Sequence, residues 1–206
     1  RSRELLDAHG LTAESFEGYL FPDTYRIKQG TSAEAIVEKM YARWQEVWEE
    51  LQREHPGALE EHAEVREMGV HELVTLASLV ERETRHAPER GRISRVFLNR
   101  IDRGMRLQTD PTCVYGEDTY REVPSPKRCK DKLNRYSTYV IEGLPPGPIA
   151  NPGKESLRAA LRPEQGEDAR EYLFFVARRD GSGSHYFSKS YKEHIAAIDR
   201  YLRRGK

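Results

Sequence analysis

Apolar residues recur at helical spacing along most of this chain, and they alternate or run together only near its C-terminus. Ile36, Val37, Met40, Tyr41, Trp44, Val47, Trp48 and Leu51 fall on one helix face, and Thr31 followed three residues later by Glu34 predicts a capping box at its start. His55-Pro56-Gly57 stops that helix, and the acidic run to Gly69 reads as a solvent-facing connection, helical or looped. A strongly apolar helix is expected from about His71 to Arg85. After the break at Pro88 a second one carries Ile93, Val96, Phe97 and Ile101 and ends at Gly104. Met105 to Tyr115 turns extended, and the Pro- and Lys-rich stretch from there to Tyr136 reads as an exposed excursion. Gly143 to Gly153 (GLPPGPIANPG) holds too much Pro and Gly for helix or central strand, and a short helix follows over Lys154 to Leu161.

Tyr172 to Ala177 (YLFFVA) is an apolar strand, and Asp180-Gly181-Ser182-Gly183 turns the chain back to His185-Tyr186-Phe187, which makes a β-hairpin. Ser190 and Glu193 predict a second capping box, opening a terminal helix with Ile195, Ile198, Tyr201 and Leu202 in its stripe. Upstream, Glu17 to Ile27 (EGYLFPDTYRI) reads as two short extended segments about Pro22-Asp23. The class that results is α+β: a helix-rich domain with short antiparallel strands and a C-terminal hairpin plus helix.

Composition narrows the function. The chain has 206 residues, enough for one sizeable core, and its 34 Lys+Arg balance 34 Asp+Glu, so no net field draws it to nucleic acid. The Lys127 to Arg135 cluster is the local exception, and it would give strongly salt-dependent binding if it held a nucleic acid. Apolar runs stop well short of the ~20 residues that a bilayer span needs. The sequence opens at Arg1 without an initiator Met or an apolar leader, so any targeting segment is expected upstream. Cys113 and Cys129 lack a CxxC spacing and a nearby His, which makes a poor metal site. Bonded to each other they would close a loop of about 15 residues and stabilise by roughly 3 kcal/mol; two independent thiols are the alternative.

The residues that carry chemistry sit at the end of the apolar helix LVTLASLVERET (Leu73 to Thr84). Leu73, Leu76, Ala77 and Val80 form the centre of its stripe. Glu81 and Glu83 fall on opposite flanks, about 160° apart. Such a pair cannot face each other across one sugar as the nucleophile and acid of an ordinary retaining glycosidase do, so at most one enters a cleft. Periodicity does not choose between them. Glu81 also has Arg85 at i,i+4 for a plain surface pair, and Glu83 has Arg82, Arg85 and His86 within reach.

Seven blocks in order, GYLFPDTY (18–25), LASLVERET (76–84), VFLNR (96–100), MRLQTDPT (105–112), YSTY (136–139), GLPPGPIANPG, and YLFFVA with a following His-aromatic, resemble the YceG-like family of endolytic murein transglycosylases. The resemblance implies cleavage of the β-1,4 bond between N-acetylmuramic acid and N-acetylglucosamine within peptidoglycan strands, leaving a 1,6-anhydromuramoyl end. It makes the first Glu of the block, Glu81, the catalytic acid and later base, with Glu83 in reserve. Neighbouring Leu79, Val80 and Ala77 would desolvate the acid, and the substrate's N-acetyl group would assist. Neither cofactor nor metal is needed. The resemblance also implies peptidoglycan glycan strands as substrate, cell-wall synthases as candidate partners, and no nucleic acid. It places the catalytic part on the outer, periplasmic side of the cytoplasmic (inner) membrane, behind an upstream anchor helix. Residues 1–30 would be the end of a LysM-like lobe with its linking strands and 31–206 the catalytic domain. The oxidising setting agrees with a Cys113–Cys129 bridge.

Around the acid, Gln108 and Asp110 of LQTDPT can fork onto sugar hydroxyl and N-acetyl groups, and Tyr136 and Tyr139 offer faces and hydroxyls. Asn151 in the Pro/Gly turns completes the expected substrate-binding set. Asp110 can equally cap a turn, and each of the others has a packing alternative. Ser137 stands where the family carries an amide. Phe21, Pro22, Asp23 and Tyr25 are expected against the catalytic core, Trp44 and Trp48 in the core itself, and His185 is open between site and structure. The rival reading is a non-catalytic peptidoglycan-binding or division scaffold module.

Overall fold

In a computed structural model, residues 2–58, 67–116 and 122–203 are described; most of the acidic connection after Gly57 and part of the excursion before Tyr136 lie outside them. Helix α1 spans Ser2–Ala8 and α2 Ala33–Glu54. The apolar helix α3 runs Val70–Glu83, and a 3-10 turn at Ala87–Glu89 leads into α4, Arg90–Asp102. A second 3-10 turn covers Asp110–Val114, followed by the one-turn α5, Pro126–Cys129, and by α6, Lys154–Leu161. Strands β1 (Phe174–Ala177) and β2 (His185–Ser188) pair antiparallel, with Phe175 opposite Phe187 and Val176 opposite Tyr186. Helix α7, Tyr191–Ile198, closes the chain with a π turn over Asp199–Arg203.

Helix α3 is the centre. Every residue from Leu73 to Val80 is buried, including Thr75 and Ser78. Each fully buried Leu or Val there contributes about 1.5–3 kcal/mol by leaving water. Its polar members bond locally: Thr75 Oγ1 donates to His71 O at 2.8 Å and Ser78 Oγ to Thr75 O at 2.7 Å. Ser78 Oγ also accepts the Ile149 amide at 3.0 Å, so the Pro/Gly turns dock directly on the helix. α6 packs most closely against α3, with α4 against both.

Tyr41, Trp44 and Trp48 of α2 form a continuous stack, centroids 5.9 and 5.6 Å apart, with Tyr19 edge-on to Trp44 at 4.9 Å. These tryptophans are core, as the spacing implies. Leu6, Ala13, Phe16, Tyr19 and Phe21 join the same hydrophobic cluster. Among the described residues no helix is long and apolar enough to cross a membrane.

Three local expectations need correction. The N-cap of α2 is Ser32, whose side chain accepts the Ala35 amide; Thr31 instead donates its hydroxyl to Lys28 O. Residues 17–27 form a turn and an irregular stretch, because their amides find non-ladder partners: Gly18 N and Leu20 N both donate to Asn151 Oδ1, and Phe21 N to Met40 O. The Ser190–Glu193 capping box is present, yet of the terminal helix only Ala197 is fully buried, since a two-stranded hairpin gives it little surface to cover. Cys113 and Cys129 are bonded, Cα atoms 4.6 Å apart.

Gly18, at φ +89°, lies in the left-handed region, and a Cβ there would stand 2.7 Å from Pro148 Cβ and 2.8 Å from Val74 Cγ1. Gly18→Ala should therefore lower unfolding free energy by about 2–3 kcal/mol in urea titrations. Replacing both Cys113 and Cys129 by Ser reopens a 16-residue loop and should cost roughly 3 kcal/mol in the same measurement.

Candidate active site

The two carboxylates at the end of α3 leave in different directions and meet different surroundings. Glu81 turns toward α6: its Oε2 accepts the Gly153 amide at 3.1 Å and the Ser156 hydroxyl at 2.8 Å, and Arg90 Nη2 stands 3.7 Å from Oε1. Gly153 is the N-cap of α6, so Glu81 supplies the acceptor that this side-chain-less cap lacks, at the positive end of the helix dipole. Its carboxylate fastens α3 to α6.

Glu83 turns the other way and lines a cavity of about 450 Å³. Its side chain is half-buried, and the Thr109 hydroxyl donates to Oε1. Burial, reinforced by the Asp110 charge and opposed by the Thr109 hydrogen bond and Arg100, pushes its pKa up to about 7. A carboxyl so placed holds its proton near neutrality and can still release it, which is the property of a general acid.

The cavity wall next to the end of α3 consists of two loop segments clamped by threonines. Thr109 N donates to Thr138 Oγ1 at 3.0 Å, Thr138 N to Thr112 Oγ1 at 3.1 Å, and Gln108 N to Thr138 O at 3.1 Å. All three threonines are buried, so these bonds face no competing water. Ser137, also buried, donates to Cys129 O at 2.7 Å, and thereby ties this clamp to the disulfide. The clamp fixes Tyr139 where its hydroxyl donates to Asp110 Oδ1 at 2.6 Å; burial first, then Asp110, keeps that phenol well above its ordinary value and hence neutral. Gln108 sits at φ +49°, a strained backbone for a non-glycine residue, and lines the cavity.

The remaining wall comes from the hairpin, with Phe174, Phe175, His185 and, on α7, His194. Arg100 of α4 joins the two walls: Nε donates to Leu173 O at 2.7 Å and Nη1 to Leu107 O at 2.5 Å, with the guanidinium 5.2 Å over Phe174.

Of the residues expected from the sequence, Glu83, Gln108, Asp110 and Tyr139 line one cavity. Glu81, Tyr136 and Asn151 are not among its lining. Tyr136 packs on Tyr115 at 4.6 Å, and Asn151 holds the Gly18–Leu20 turn. Phe21 is buried, Tyr25 donates to its carbonyl at 2.6 Å, and Asp23 pairs with Arg43 at the surface. Thr109 and Arg100 were legible only as members of the quoted blocks, with no spacing to mark them. Asp110, Cys113 and Cys129 bring possible metal-binding atoms within 4.8 Å of one another, but the two sulfurs are spent on each other and offer no thiolate.

The chain is 36% identical over 195 residues to the endolytic murein transglycosylase of Bacillus subtilis, a match that covers 90% of this chain and 48% of that protein. It is 28% identical over 190 residues to the protein of the same name from Streptococcus pneumoniae, with 90% and 32% covered. The crystal structure of a YceG-like protein from Listeria monocytogenes superposes with a TM-score of 0.77 at 32% identity, over 95% of this chain and 62% of that one. This chain thus spans about half the length of the Bacillus relative and a third of the streptococcal one. The sequence profile of the YceG-like family matches residues 2–200. That stretch takes in every element that frames the cavity, from α3 to the hairpin, and the chain belongs to the YceG-like family.

Proposed function

We propose that this chain is the catalytic part of a lytic transglycosylase that cuts within peptidoglycan glycan strands, with Glu83 as its acid. The observation that carries the reading is a carboxyl group with a pKa of about 7 in the wall of a cavity shared with Gln108, Asp110 and Tyr139. The names of the relatives supply the reaction class. Glu81, which the family resemblance favoured, has its carboxylate engaged by the end of α6 and is assigned to structure.

Protonated Glu83 gives its proton to the glycosidic oxygen as the bond from C1 of the muramoyl residue breaks. As a carboxylate it then takes the proton of the 6-hydroxyl while O6 closes on C1, so the enzyme ends as it began and no water enters the product. One carboxyl suffices because departure and return occur on the same face of the sugar. The amide of Gln108 and the Asp110–Tyr139 pair offer forked acceptors and donors for hydroxyl and N-acetyl groups. A peptidoglycan substrate puts the reaction outside the cytoplasmic membrane, where the Cys113–Cys129 bond is at home and where cell-wall synthases would be neighbours.

Incubation with purified sacculi followed by mass spectrometry should release muropeptides with anhydro ends; capture of sacculi without new ends would make this a binding module. Glu83→Gln should reduce that release by about 10²–10⁴-fold, whereas Glu81→Gln should keep most of it, because a Gln oxygen still accepts from Gly153 and Ser156. The opposite ranking would return the acid to Glu81.

The rate should decline as pH rises through about 7, where Glu83 loses its proton. Stability should follow the same group. The folded chain holds this proton more tightly than the unfolded one, so stability falls as pH rises from the ordinary carboxyl range to about 7. Glu83→Gln should therefore melt above the parent at pH 8, by up to ~3 kcal/mol, and close to it at pH 4.

A further inference from the structure

We infer that His185, held by Glu89, is a second functional group of the site and accepts the 2-acetamido N–H of the muramoyl residue during cleavage. The inference rests on the transglycosylase reading and assigns a residue that the single-carboxyl scheme leaves out.

His185 lies at the first position of β2 and lines the same cavity as Glu83. Its ring nitrogen Nδ1 is 2.9 Å from Glu89 Oε2, and its backbone amide donates to both oxygens of that carboxylate at 3.1 and 3.0 Å. Both side chains are nearly buried, at 10% and 13% exposure. A carboxylate can only accept, so Nδ1 carries the hydrogen, and in the neutral ring Nε2 keeps its lone pair. Nε2 makes no hydrogen bond among the described residues. The ring is fixed further by Phe175, edge-on at 5.5 Å.

The cavity's other histidine is built differently. His194 stacks on Phe174 at 5.1 Å, has no carboxylate partner among the described residues, and is lowered by burial and by Arg100. Of these two histidines only His185 has, among the described residues, an anion behind it to stabilise a positive ring.

A lone acid that leaves and returns on one sugar face needs help on the other face, where the acetamido oxygen can attack C1. In the first step that oxygen bonds to C1, the bond from C1 to the leaving oxygen breaks, Glu83 protonates the leaving oxygen, and the acetamido N–H proton passes to His185 Nε2. The products are an oxazoline, a Glu83 carboxylate, and an imidazolium facing Glu89. In the second step O6 bonds to C1, the oxazoline C1–O bond breaks, nitrogen recovers its proton from His185, and Glu83 takes the 6-hydroxyl proton. Both groups are restored and no co-reactant is consumed.

His185→Asn tests this, because the Asn amide can still donate to Glu89 and hold the hairpin while nothing replaces Nε2. The release of anhydro ends should fall about 10²-fold or more in kcat, with KM and melting temperature close to the parent's. A sugar thiazoline, a stable copy of the oxazoline, should bind the parent at least ten-fold more tightly than the variant. If His185→Asn misfolds, thiazoline binding to His185→Gln is measured instead, with the same loss expected. A folded variant with undiminished kcat, or with parental thiazoline affinity, overturns the inference alone. Absence of anhydro ends from digests by the parent protein overturns the transglycosylase reading, and this inference with it.

Discussion

The burial of α3 on all sides from Leu73 to Val80 is the constraint on which this molecule turns. A helix enclosed in that way cannot place a carboxylate anywhere along its middle, since an unpaired charge there would have no solvation. Its acids lie only outside the enclosed stretch, Glu72 in the first turn and Glu81 and Glu83 in the last. There the 100° step of the helix sends Glu81 and Glu83 to opposite sides. One meets the amide-rich end of a neighbouring helix and is held there by the Gly153 amide and the Ser156 hydroxyl; the other meets a threonine hydroxyl at the cavity and has its pKa pushed up to about 7. Two identical side chains, two residues apart, are differentiated entirely by what the fold brings to them.

What it brings to Glu83 arrives from far along the chain. Thr109 is 26 residues away, and Thr138 holds Thr109 from a further 29. These buried hydroxyl and amide bonds compensate one another without water, so the loops of this wall behave as a rigid scaffold even though they contain no strand. Ser137 is joined to that scaffold by its bond to the disulfide-linked Cys129.

Local patterns in the sequence were sufficient for most elements. The α3 and α4 stripes, the 154–161 helix, the hairpin and the Ser190–Glu193 box depend on spacings of a few residues, and those spacings survive folding. The start of α2 was misread by one residue because Thr31 and Ser32 both satisfy capping chemistry, and only the backbone turn at Lys28 decides between them. The strands expected at 17–27 failed for a nonlocal reason: Asn151, 133 residues from Gly18, takes the amides that a ladder would have used. The choice between Glu81 and Glu83 was illegible for the same reason, as was the partnership of Glu89 and His185 across 96 residues. Four of the seven expected site residues share a cavity because the family blocks that contain them are brought together by the threonine clamp.

The side-chain amide of Asn151 has a consequence for anyone wishing to shorten this protein. Its oxygen grips the Gly18–Leu20 turn while Tyr19 reaches across to Trp44 and, through its hydroxyl, to His71 Nδ1 at 3.0 Å. Trimming at residue 30 would strand that amide oxygen, bare the aromatic stack of α2, and remove one of the two partners of His71 in the first turn of α3. The opening stretch is thus a keystone of the helical core, and a minimal version of the chain has to begin before Leu6.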